Sequence, residues 1–370
     1  MPGSMFFSIA HNPGGAEVSL LELARHWPGG LKVVCPGESA FSKRLERARV
    51  RTAGIRVPAL KGGGGLFAKL TNYTYAQRAR NELERVFNAG GDEVFVTNNL
   101  MADFFAGDIP TRFKRRTACY CRDKAGGEVR AKFLATRDLI LAPSQWIEDD
   151  LRRAGFDRIA RVPVGVDVEY FTAAPPRAAA RAALSLPTNR RIIGYAGQFI
   201  RRKGLLTFIT IAEKLAARHA DLLFVIAGGD LYGDSPFTGE VRGRIKASAY
   251  SDRFVLPGML TDIRPFYAAL DLFVTLALEE PFGRTPIEAA LCGTLPLAAA
   301  DGGYKETVGD VPALLLSPTD ENSTVEAIDE LLAGRGNPAA LLVSMRAVAR
   351  RYTVQNTVAR LQEALAPLGA

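Results

Sequence analysis

The sequence predicts an α/β protein with two doubly wound domains, each a parallel sheet covered by helices on both faces. Its 370 residues exceed the roughly 150 that one domain averages, so two domains are expected. Apolar strand-like runs alternate with amphipathic helix-like segments, which is typical of buried parallel strands joined by crossover helices. The Pro- and Ala-rich stretch TAAPPRAAARAALSLPTNRR, which starts at residue 172, interrupts this alternation and predicts a linker.

The first domain is predicted to span residues 1–171, and the linker residues 172–189. Helical periodicity occurs at 18–27 and 146–155, and Gly155 is suited to end the second of these helices. β-branched and aromatic composition predicts strands at runs such as LKVVCP (31–36), DEVFVTNN (92–99), RDLILAPS (137–144) and ARVPVG (160–165). KGGGGLF (61–67) is interpreted as a flexible loop that either closes over an acceptor or is simply mobile.

The second domain is predicted at residues 190–352. Its alternating elements are strands at 190–197, 222–229, 254–258 and 271–278 and helices at 205–218, 238–248 and 262–269. A last helix near 353–366 lies in a C-terminal segment, 353–370, that either stays with the second domain or returns to the first. Ligands of open α/β sheets bind beyond the carboxyl ends of the strands, so the loops after Gly197, Gly228 and Leu278 should line a cleft between the domains.

Positive charge is concentrated in the first domain. The net charge is +8, and residues 1–171 carry 26 Lys and Arg against 19 Asp and Glu. Such an excess suits nucleic acid, an anionic membrane or an acidic small molecule. Two basic stretches, 42–51 and 111–122, occur without a helix-turn-helix, zinc-finger or single-strand-binding motif. We therefore expect no nucleic acid, and either an anionic lipid surface, a phosphorylated acceptor or a merely solvated face.

Membrane-spanning, secreted and metal-dependent classes are not indicated. No uninterrupted apolar run approaches the roughly 18 residues of a membrane span, and the N-terminal sequence lacks the basic start of a secretion signal. The four cysteines lack zinc or redox spacing, no two histidines have metal-ligand spacing, and no Asp-x-Asp loop appears. We expect a cytoplasmic protein, free or peripheral at the inner membrane face, that needs no metal ion and no cofactor.

The segment LEEPFGRTPIEAALCG carries the strongest chemical signal. Glu280 and Glu288 bracket a turn, and a helix is predicted to begin near Arg284 or Thr285. Gly283 permits close backbone approach, and the N–H groups at the helix start form an anion site. A carboxylate accepts hydrogen bonds from adjacent hydroxyls, so two of them beside an anion site suit a nucleotide sugar. Alternatively, the two acids merely favour the positive end of a helix dipole.

This segment resembles the signature of the retaining family 4 glycosyltransferases, in which two glutamates with seven residues between them flank a Phe-Gly turn. The resemblance implies the GT-B fold, in which two Rossmann-like domains face each other across a cleft. It covers nearly the whole chain, through GGAEVSLLELA (14–24), GYAGQFIRRKGLLTFI (194–209), LPGMLTDIRPFYAALDLFV (256–274) and GGYKETV (302–308). The second of these is similar to the family's diphosphate loop, although a basic turn can also be merely solvated.

The resemblance implies a role for each matching residue. Glu280 would bind the hydroxyls of the donor sugar, and Arg202 and Lys203 would neutralise the leaving diphosphate. Glu288 would bind the ribose hydroxyls. The other implied donor contacts, mostly from the backbone or beside the base, are Gly14, Gly15, Gln198, Met259, Leu260, Phe282, Gly283, Arg284 and Thr285. On the acceptor side the implied residues are His11, Arg122 and Asp123.

Two residues depart from the family pattern. Gln198 occupies a place where the family usually has arginine, so one phosphate contact is weaker or comes from Arg201 or Arg202. Arg122 stands where many members have a histidine near the reacting sugar, which puts acid–base chemistry there in doubt. Arg122 remains suited to hold a phosphate or an acceptor oxygen.

The implied activity is transfer of a sugar from a nucleoside diphosphate sugar to an acceptor hydroxyl, with retention of the anomeric configuration. UDP- and GDP-sugars are the expected donors. A carbohydrate, a lipid-linked molecule or a small molecule would be the acceptor, in bacterial polysaccharide, glycolipid or small-molecule glycoside synthesis. Two alternatives stay open: a nucleotide-sugar-binding protein without transferase activity, suggested by Gln198 and Arg122, and a sugar-nucleotide epimerase on the same scaffold.

Overall fold

The computed structural model describes residues 3–59, 66–89, 94–125, 133–231, 233, 235–317 and 319–369, and describes no side chains within 66–70. Residues 61–65 of the predicted flexible loop lie outside this description. The chain divides into two compact units: unit 1 comprises Met1–Gly165 and Val354–Ala370, and unit 2 comprises Val166–Thr353. Each unit contains one parallel sheet, as the sequence predicts.

Unit 1 is built on a seven-stranded parallel sheet in the order β3-β2-β1-β4-β5-β6-β7. The strands are β1 (Ser4–Phe7), β2 (Lys32–Pro36), β3 (Arg51–Ile55), β4 (Val94–Thr97), β5 (Thr117–Tyr120), β6 (Leu139–Ala142) and β7 (Ile159–Arg161). Every residue of β1, β4 and β5 is buried, because helices cover both faces of the central strands. These helices include α1 (Gly15–His26), α2 (Ala40–Arg47), α3 (Leu66–Asn88), α4 (Leu100–Ala106), α5 (Ile109–Arg112) and α6 (Gln145–Arg153).

Unit 2 is built on a six-stranded parallel sheet in the order β10-β9-β8-β11-β12-β13. Its strands are β8 (Arg191–Gln198), β9 (Leu222–Gly229), β10 (Phe254–Gly258), β11 (Leu272–Thr275), β12 (Leu295–Ala299) and β13 (Leu315–Leu316). Its helices are α7 (Val168–Thr172), α8 (Arg177–Ala183), α9 (Leu205–Arg218), α10 (Pro236–Lys246), α11 (Arg264–Ala269), α12 (Arg284–Leu291), α13 (Tyr304–Thr307), α14 (Glu321–Leu332) and α15 (Pro338–Ala349). Short 3-10 turns occur at Arg201–Lys203, Ser251–Arg253, Pro312–Leu314 and Ala366–Gly369.

The chain passes from unit 1 to unit 2 at Gly165, earlier than the boundary that the sequence predicts at residue 171. Side chains of Tyr170 and of the predicted linker form contacts within unit 2. The Tyr170 hydroxyl donates to Asp262 Oδ1 at 3.0 Å. Arg181 donates from Nε to the carbonyl oxygen of Ala269 at 2.9 Å and forms a 2.8 Å ion pair with Asp271. The predicted linker is therefore a packed part of unit 2.

The C-terminal helix α16 (Val354–Leu365) belongs to unit 1 and packs on α1. Thr357 holds it there, because its hydroxyl donates to the carbonyl of Pro163 at 2.8 Å and accepts from the amide of Gly165 at 2.7 Å.

The strand orders locate where each sheet can hold a ligand. In both sheets the first strand lies between the second and the fourth, so the direction of winding reverses beside it. In unit 2 this switch point separates β8 from β11, and the loops after these strands carry Lys203 and Glu280. In unit 1 it separates β1 from β4, and Gly14 follows β1. Ligands of open α/β sheets bind at such points.

Candidate functional site

The loop after β8 brings its basic pair to the end of β11. Gly204 ends the 3-10 turn of this loop with φ +70°, and a Cβ there would lie 2.2 Å from the carbonyl oxygen of Leu276. Only glycine permits this approach. The amide of Leu278 donates to the carbonyl of Arg202 at 2.8 Å, which connects the loops after β8 and β11 directly.

Lys203, Arg202 and Glu280 converge at this junction. The ammonium Nζ of Lys203 lies 2.5 Å from Glu280 Oε2, and Nη1 of Arg202 lies 3.8 Å from the same oxygen. Side-chain exposure is 21% for Lys203 and 15% for Glu280, so the pair is largely withdrawn from water. The hydroxyl of Tyr195 helps to hold the loop after β8, because it donates to the carbonyl of Lys203 at 3.2 Å. The structure thus brings together the three residues that the resemblance implies at the reacting centre.

The turn that carries Glu280 is braced by the loop after β12 that contains residues 302–304, here called the GGY loop. The amide of Gly303 donates to the carbonyl of Glu280 at 2.7 Å, and a Cβ at residue 303 would lie 2.6 Å from Phe282. Glu279 has a positive φ of +53°, and its amide donates to Asp301 Oδ2 at 2.6 Å. A left-handed non-glycine residue is uncommon and is maintained here by contacts on both sides of the turn.

The aromatic residues around the turn are packing groups. Tyr304 is buried beneath Gly283, and its hydroxyl forms hydrogen bonds with Thr275, at 2.9 Å, and Thr285. Phe282 is also buried and packs edge-on against Tyr352, with ring centroids 5.4 Å apart. The side chains of Phe282 and Thr285 therefore hold the turn. Thr285 is the second residue of α12, and Phe282 precedes the N-cap of that helix, Gly283.

Glu288 is held by a hydrogen bond and an ion pair, from two elements. The hydroxyl of Tyr267, on α11, donates to Oε2 at 3.0 Å, and Nε of Arg284 lies 3.2 Å from Oε1. Arg284 is expected from the sequence to offer its backbone, but its side chain is also part of the site because it lies one helical turn before Glu288. No sequence signal indicates Tyr267, since its contact with Glu288 depends on how α11 packs against α12.

Arg201 does not join the basic pair. Its guanidinium forms a 2.6 Å ion pair with Glu240 and lies 5.1 Å from the ring centroid of Phe237, so it is directed toward α10. Gln198, the last residue of β8, pairs with Gly229 of β9. Of the two arginines expected to compensate for Gln198, Arg202 is therefore the one beside Glu280.

The loop after β10 contains the two residues expected beside the base. Met259 is 59% exposed, and its side chain lies against Gly229, where a Cβ would come within 3.2 Å of Met259 Cγ. Leu260 is half-buried. The loop is tied to α7 because Asp262 accepts from the Tyr170 hydroxyl. Met259 and Leu260 thus lie beyond the carboxyl ends of β9 and β10.

In unit 1, the amide of Gly14 donates to a side chain of the same unit, and its expected approach to a phosphate stays a prediction. Glu17 accepts from the Gly14 amide through Oε2 at 3.1 Å and from the Ser8 hydroxyl through Oε1 at 3.0 Å. Burial raises the pKa of Glu17, while Ser8, Gly14 and the charge of Arg122 act in the opposite direction. Gly15 is the first residue of α1, so its backbone amide lies at the start of that helix.

The acceptor-side candidates lie in two neighbouring loops of unit 1. His11 donates from Nε2 to the carbonyl of Val57 at 2.8 Å, which anchors the loop after β1. The guanidinium of Arg122 stacks 4.1 Å from the ring centroid of Tyr120, and the carbonyl of Asp123 accepts from the Cys121 thiol at 3.1 Å. Arg122 and Glu17 are close enough for their charges to interact. The place where many family members have a histidine is thus taken by an arginine whose charge acts on Glu17.

No helix among the described residues is long and apolar enough to span a membrane. No group of three or more His, Cys, Asp and Glu side chains in the described ranges is arranged to hold a metal ion. The cleft between the two domains and the roles of the individual residues stay predictions.

Comparisons with known proteins connect this chain with sugar-transferring enzymes. Residues 176–350 match the family model described as glycosyl transferases group 1. A D-inositol 3-phosphate glycosyltransferase of Xylanimonas cellulosilytica is 30% identical over 230 residues, which are 59% of this chain and 54% of the relative. The lipopolysaccharide core mannosyltransferase of Rhizobium meliloti is 30% identical over 169 residues, 46% of each chain. This chain thus aligns with about half the length of these curated relatives.

Solved structures show the fold. Anabaena HepE in complex with UDP-glucose superposes with a TM-score of 0.83 at 21% identity, covering 99% of this chain and 100% of that one. Sucrose-phosphate synthase of Thermosynechococcus elongatus gives a TM-score of 0.79 at 20% identity, covering 100% and 99%. The fold is therefore GT-B, as the sequence predicts.

Replacing Gly283 by alanine should destabilise the protein more than replacing Gly293. Both glycines have a similar positive φ, +93° and +88°, but a Cβ at 283 would lie 2.4 Å from Tyr304 whereas nothing lies within 4 Å of one at 293. Backbone strain costs about 1 kcal/mol in both variants, and overpacking adds about 1–3 kcal/mol at residue 283. Urea unfolding of Gly283→Ala and Gly293→Ala measures the difference, and equal losses would show that Tyr304 does not brace the turn.

Proposed function

We propose, from the membership of residues 176–350 in the glycosyl transferases group 1 family, that the protein transfers a sugar from a nucleoside diphosphate sugar to an acceptor hydroxyl. Unit 2 would bind the donor and unit 1 the acceptor. One observation carries the proposal: Lys203 and Arg202 converge on Glu280 at the switch point of the unit 2 sheet. Cations and a carboxylate are the groups that a diphosphate joined to a sugar requires.

The donor would exchange partners within this cluster. Its diphosphate would take Lys203 and Arg202, which frees Glu280 to accept hydrogen bonds from the sugar hydroxyls. Backbone N–H groups at the start of α12, from Gly283 onward, would add electrostatic stabilisation. Glu288 would bind the ribose, and Met259 and Leu260 would lie against the base. In unit 1, Gly15 at the start of α1 is the amide that we assign to the phosphates.

Charge stabilisation and orientation would accelerate the reaction. The bond between the anomeric carbon and the phosphate oxygen breaks, and the acceptor oxygen forms its bond to the same face of an oxocarbenium-like sugar. Because the new bond forms on the face that the phosphate leaves, the anomeric configuration is retained, and the acceptor proton passes to the leaving phosphate oxygen. Lys203, Arg202 and the helix amides would take the electrostatic role that a metal ion has in other transferases.

A UDP-sugar is the donor we favour, with a GDP-sugar as the alternative. Solved structures of the same fold hold UDP or UDP-glucose. The relatives named above act on D-inositol 3-phosphate and on the lipopolysaccharide core, which supports a phosphorylated or lipid-linked acceptor here. Arg122 would bind an acceptor phosphate, and His11 and Asp123 would border it.

Unit 1 also carries a basic surface suited to an anionic membrane. The basic surface consists of five residues on α2, the following turn and the edge strand β3: Lys43, Arg44, Arg47, Arg49 and Arg51. None of the five side chains forms an ion pair within the part of the chain that the structure describes. Juxtamembrane cations of this kind contribute about 1 kcal/mol each to binding of anionic lipid. The protein would thus work as a peripheral enzyme at the inner membrane face.

Replacing Lys203 or Glu288 by alanine should slow consumption of UDP-glucose by a factor of about 30 to 1,000. Losing a charge-stabilising contact of this kind typically costs about 2–4 kcal/mol of transition-state stabilisation. The matched control is Lys214→Ala, which removes an ammonium paired with Glu321 at 2.7 Å elsewhere in unit 2. Values of kcat/KM measure the effect, and near-normal turnover in both site variants would reject the site.

Nucleotide binding without transfer or hydrolysis would favour a binding protein, and conversion of the donor sugar without an acceptor would favour an epimerase.

In a thermal-shift panel of UDP, GDP, ADP and dTDP, one nucleotide should raise the Tm of the protein by several degrees. A ligand that binds only the folded state stabilises it by about 2.7 kcal/mol at one hundred times its Kd. UDP is the nucleotide that we expect to act. A Tm unchanged by all four nucleotides would contradict the donor site.

Replacing Lys43, Arg44, Arg47 and Arg51 together by alanine should abolish sedimentation with phosphatidylglycerol vesicles at low salt. Loss of about 1 kcal/mol per cation weakens binding by roughly a thousandfold. The control makes the same charge change in unit 2, at four arginines that are paired with acids: Arg218, Arg244, Arg335 and Arg351. Equal loss of sedimentation in both quadruple variants would show that net charge, and not the basic surface, controls vesicle binding. If the unaltered protein does not sediment with the vesicles either, the proposed membrane binding is wrong.

A further inference from the structure

The hydroxyl of Tyr267 is committed to Glu288. It donates to Oε2 at 3.0 Å, and the two residues are 1% and 9% exposed. Burial next to the Glu288 carboxylate raises the pKa of Tyr267 well above its ordinary value, so the hydroxyl keeps its proton. The proposed transfer uses no proton from this group. Its role must therefore lie in what it does to Glu288.

Tyr267 is itself held in place. Its ring packs edge-on against Phe273, with centroids 5.2 Å apart and an interplanar angle of 89°. Its carbonyl accepts from the Thr294 hydroxyl at 2.5 Å. Because α11 precedes the central strand β11, the tyrosine presents its hydroxyl from a rigid part of the sheet core.

The two oxygens of Glu288 are held from different elements. Tyr267 on α11 binds Oε2, and Nε of Arg284, in the first turn of α12, lies 3.2 Å from Oε1. The terminal torsion of a glutamate is otherwise broad, so two separate anchors fix the plane of the carboxylate. An ionised carboxylate has about four lone-pair sites, and the Tyr267 hydrogen bond uses one of those on Oε2, so each oxygen can still accept from a ligand. Two acceptors fixed side by side match two adjacent hydroxyls.

We propose that Tyr267 is a positioning residue that orients Glu288 toward a vicinal diol, so that the site discriminates ribonucleotides from deoxyribonucleotides. This inference rests on the proposed function, because it takes the ligand at Glu288 to be a nucleotide. It adds the residue that makes the carboxylate selective: with its plane fixed, Glu288 binds two hydroxyls at once, and a nucleotide that lacks one leaves a partly buried oxygen without that donor.

The test is the affinity of Tyr267→Phe for UDP, 2′-deoxy-UDP and 3′-deoxy-UDP, measured by calorimetry. In the unaltered protein UDP should bind at least about tenfold more tightly than either deoxy analogue, since a hydrogen bond to a charged group is lost. In Tyr267→Phe the affinity for UDP should fall by about tenfold and the ratio to the deoxy analogues should approach one. The matched control is Tyr120→Phe, which removes an equally buried hydroxyl, bonded to the Val162 carbonyl at 2.6 Å, from unit 1.

Adding Glu288→Ala separates positioning from a general loss of packing. If Tyr267 acts through Glu288, its replacement in the Glu288→Ala background changes UDP affinity by less than twofold. If the unaltered protein binds no nucleotide, the proposed function is wrong and the inference falls with it. If UDP binds but Tyr267→Phe weakens all three nucleotides equally, or behaves as Tyr120→Phe does, the proposed function stands and this inference alone is overturned.

Discussion

The contact between Lys203 and Glu280 is the interaction on which the candidate site depends. It joins the loops that follow β8 and β11, the two strands at the switch point of the unit 2 sheet. Ammonium and carboxylate meet there only because Gly204 lets the first loop lie against the backbone of Leu276. The GGY loop then holds Glu280 from the other side through the amide of Gly303. Without these close backbone approaches, the same charges would be dispersed on a solvated surface.

The charged groups of the site lie beside groups that compensate them. Lys203 and Arg202 compensate Glu280, and Arg284 with Tyr267 compensates Glu288, so neither partly buried carboxylate lacks a donor. Withdrawing an isolated charge from water costs several kcal/mol, which pairing offsets. A ligand that carries both anionic oxygens and hydroxyls can replace these contacts without leaving a group unsatisfied. This chemistry, more than the fold, is the physical reason to connect the cluster with a nucleotide sugar.

Much of the fold could be predicted from apolar periodicity, and its limits are physical. Helix 205–218 and strands 222–229 and 254–258 have the predicted bounds. The helix buries one apolar face, and strand 222–229 is a nearly continuous buried apolar run. Strand β3 (Arg51–Ile55) escaped prediction, since it is a mostly exposed edge strand with no apolar pattern. In the site, the glutamates and the basic pair follow from local motifs. The contact of Tyr267 with Glu288, the diversion of Arg201 to Glu240 and the use of the Gly14 amide by Glu17 arise from packing between elements, which no local pattern encodes.

The most direct test of the central claim is a crystal structure of the protein with UDP bound. The account predicts that the diphosphate lies within hydrogen-bond distance of the Lys203 ammonium, roughly 3 Å, and that Glu280 no longer pairs with it. A diphosphate bound elsewhere, with Lys203 still on Glu280, would contradict the account.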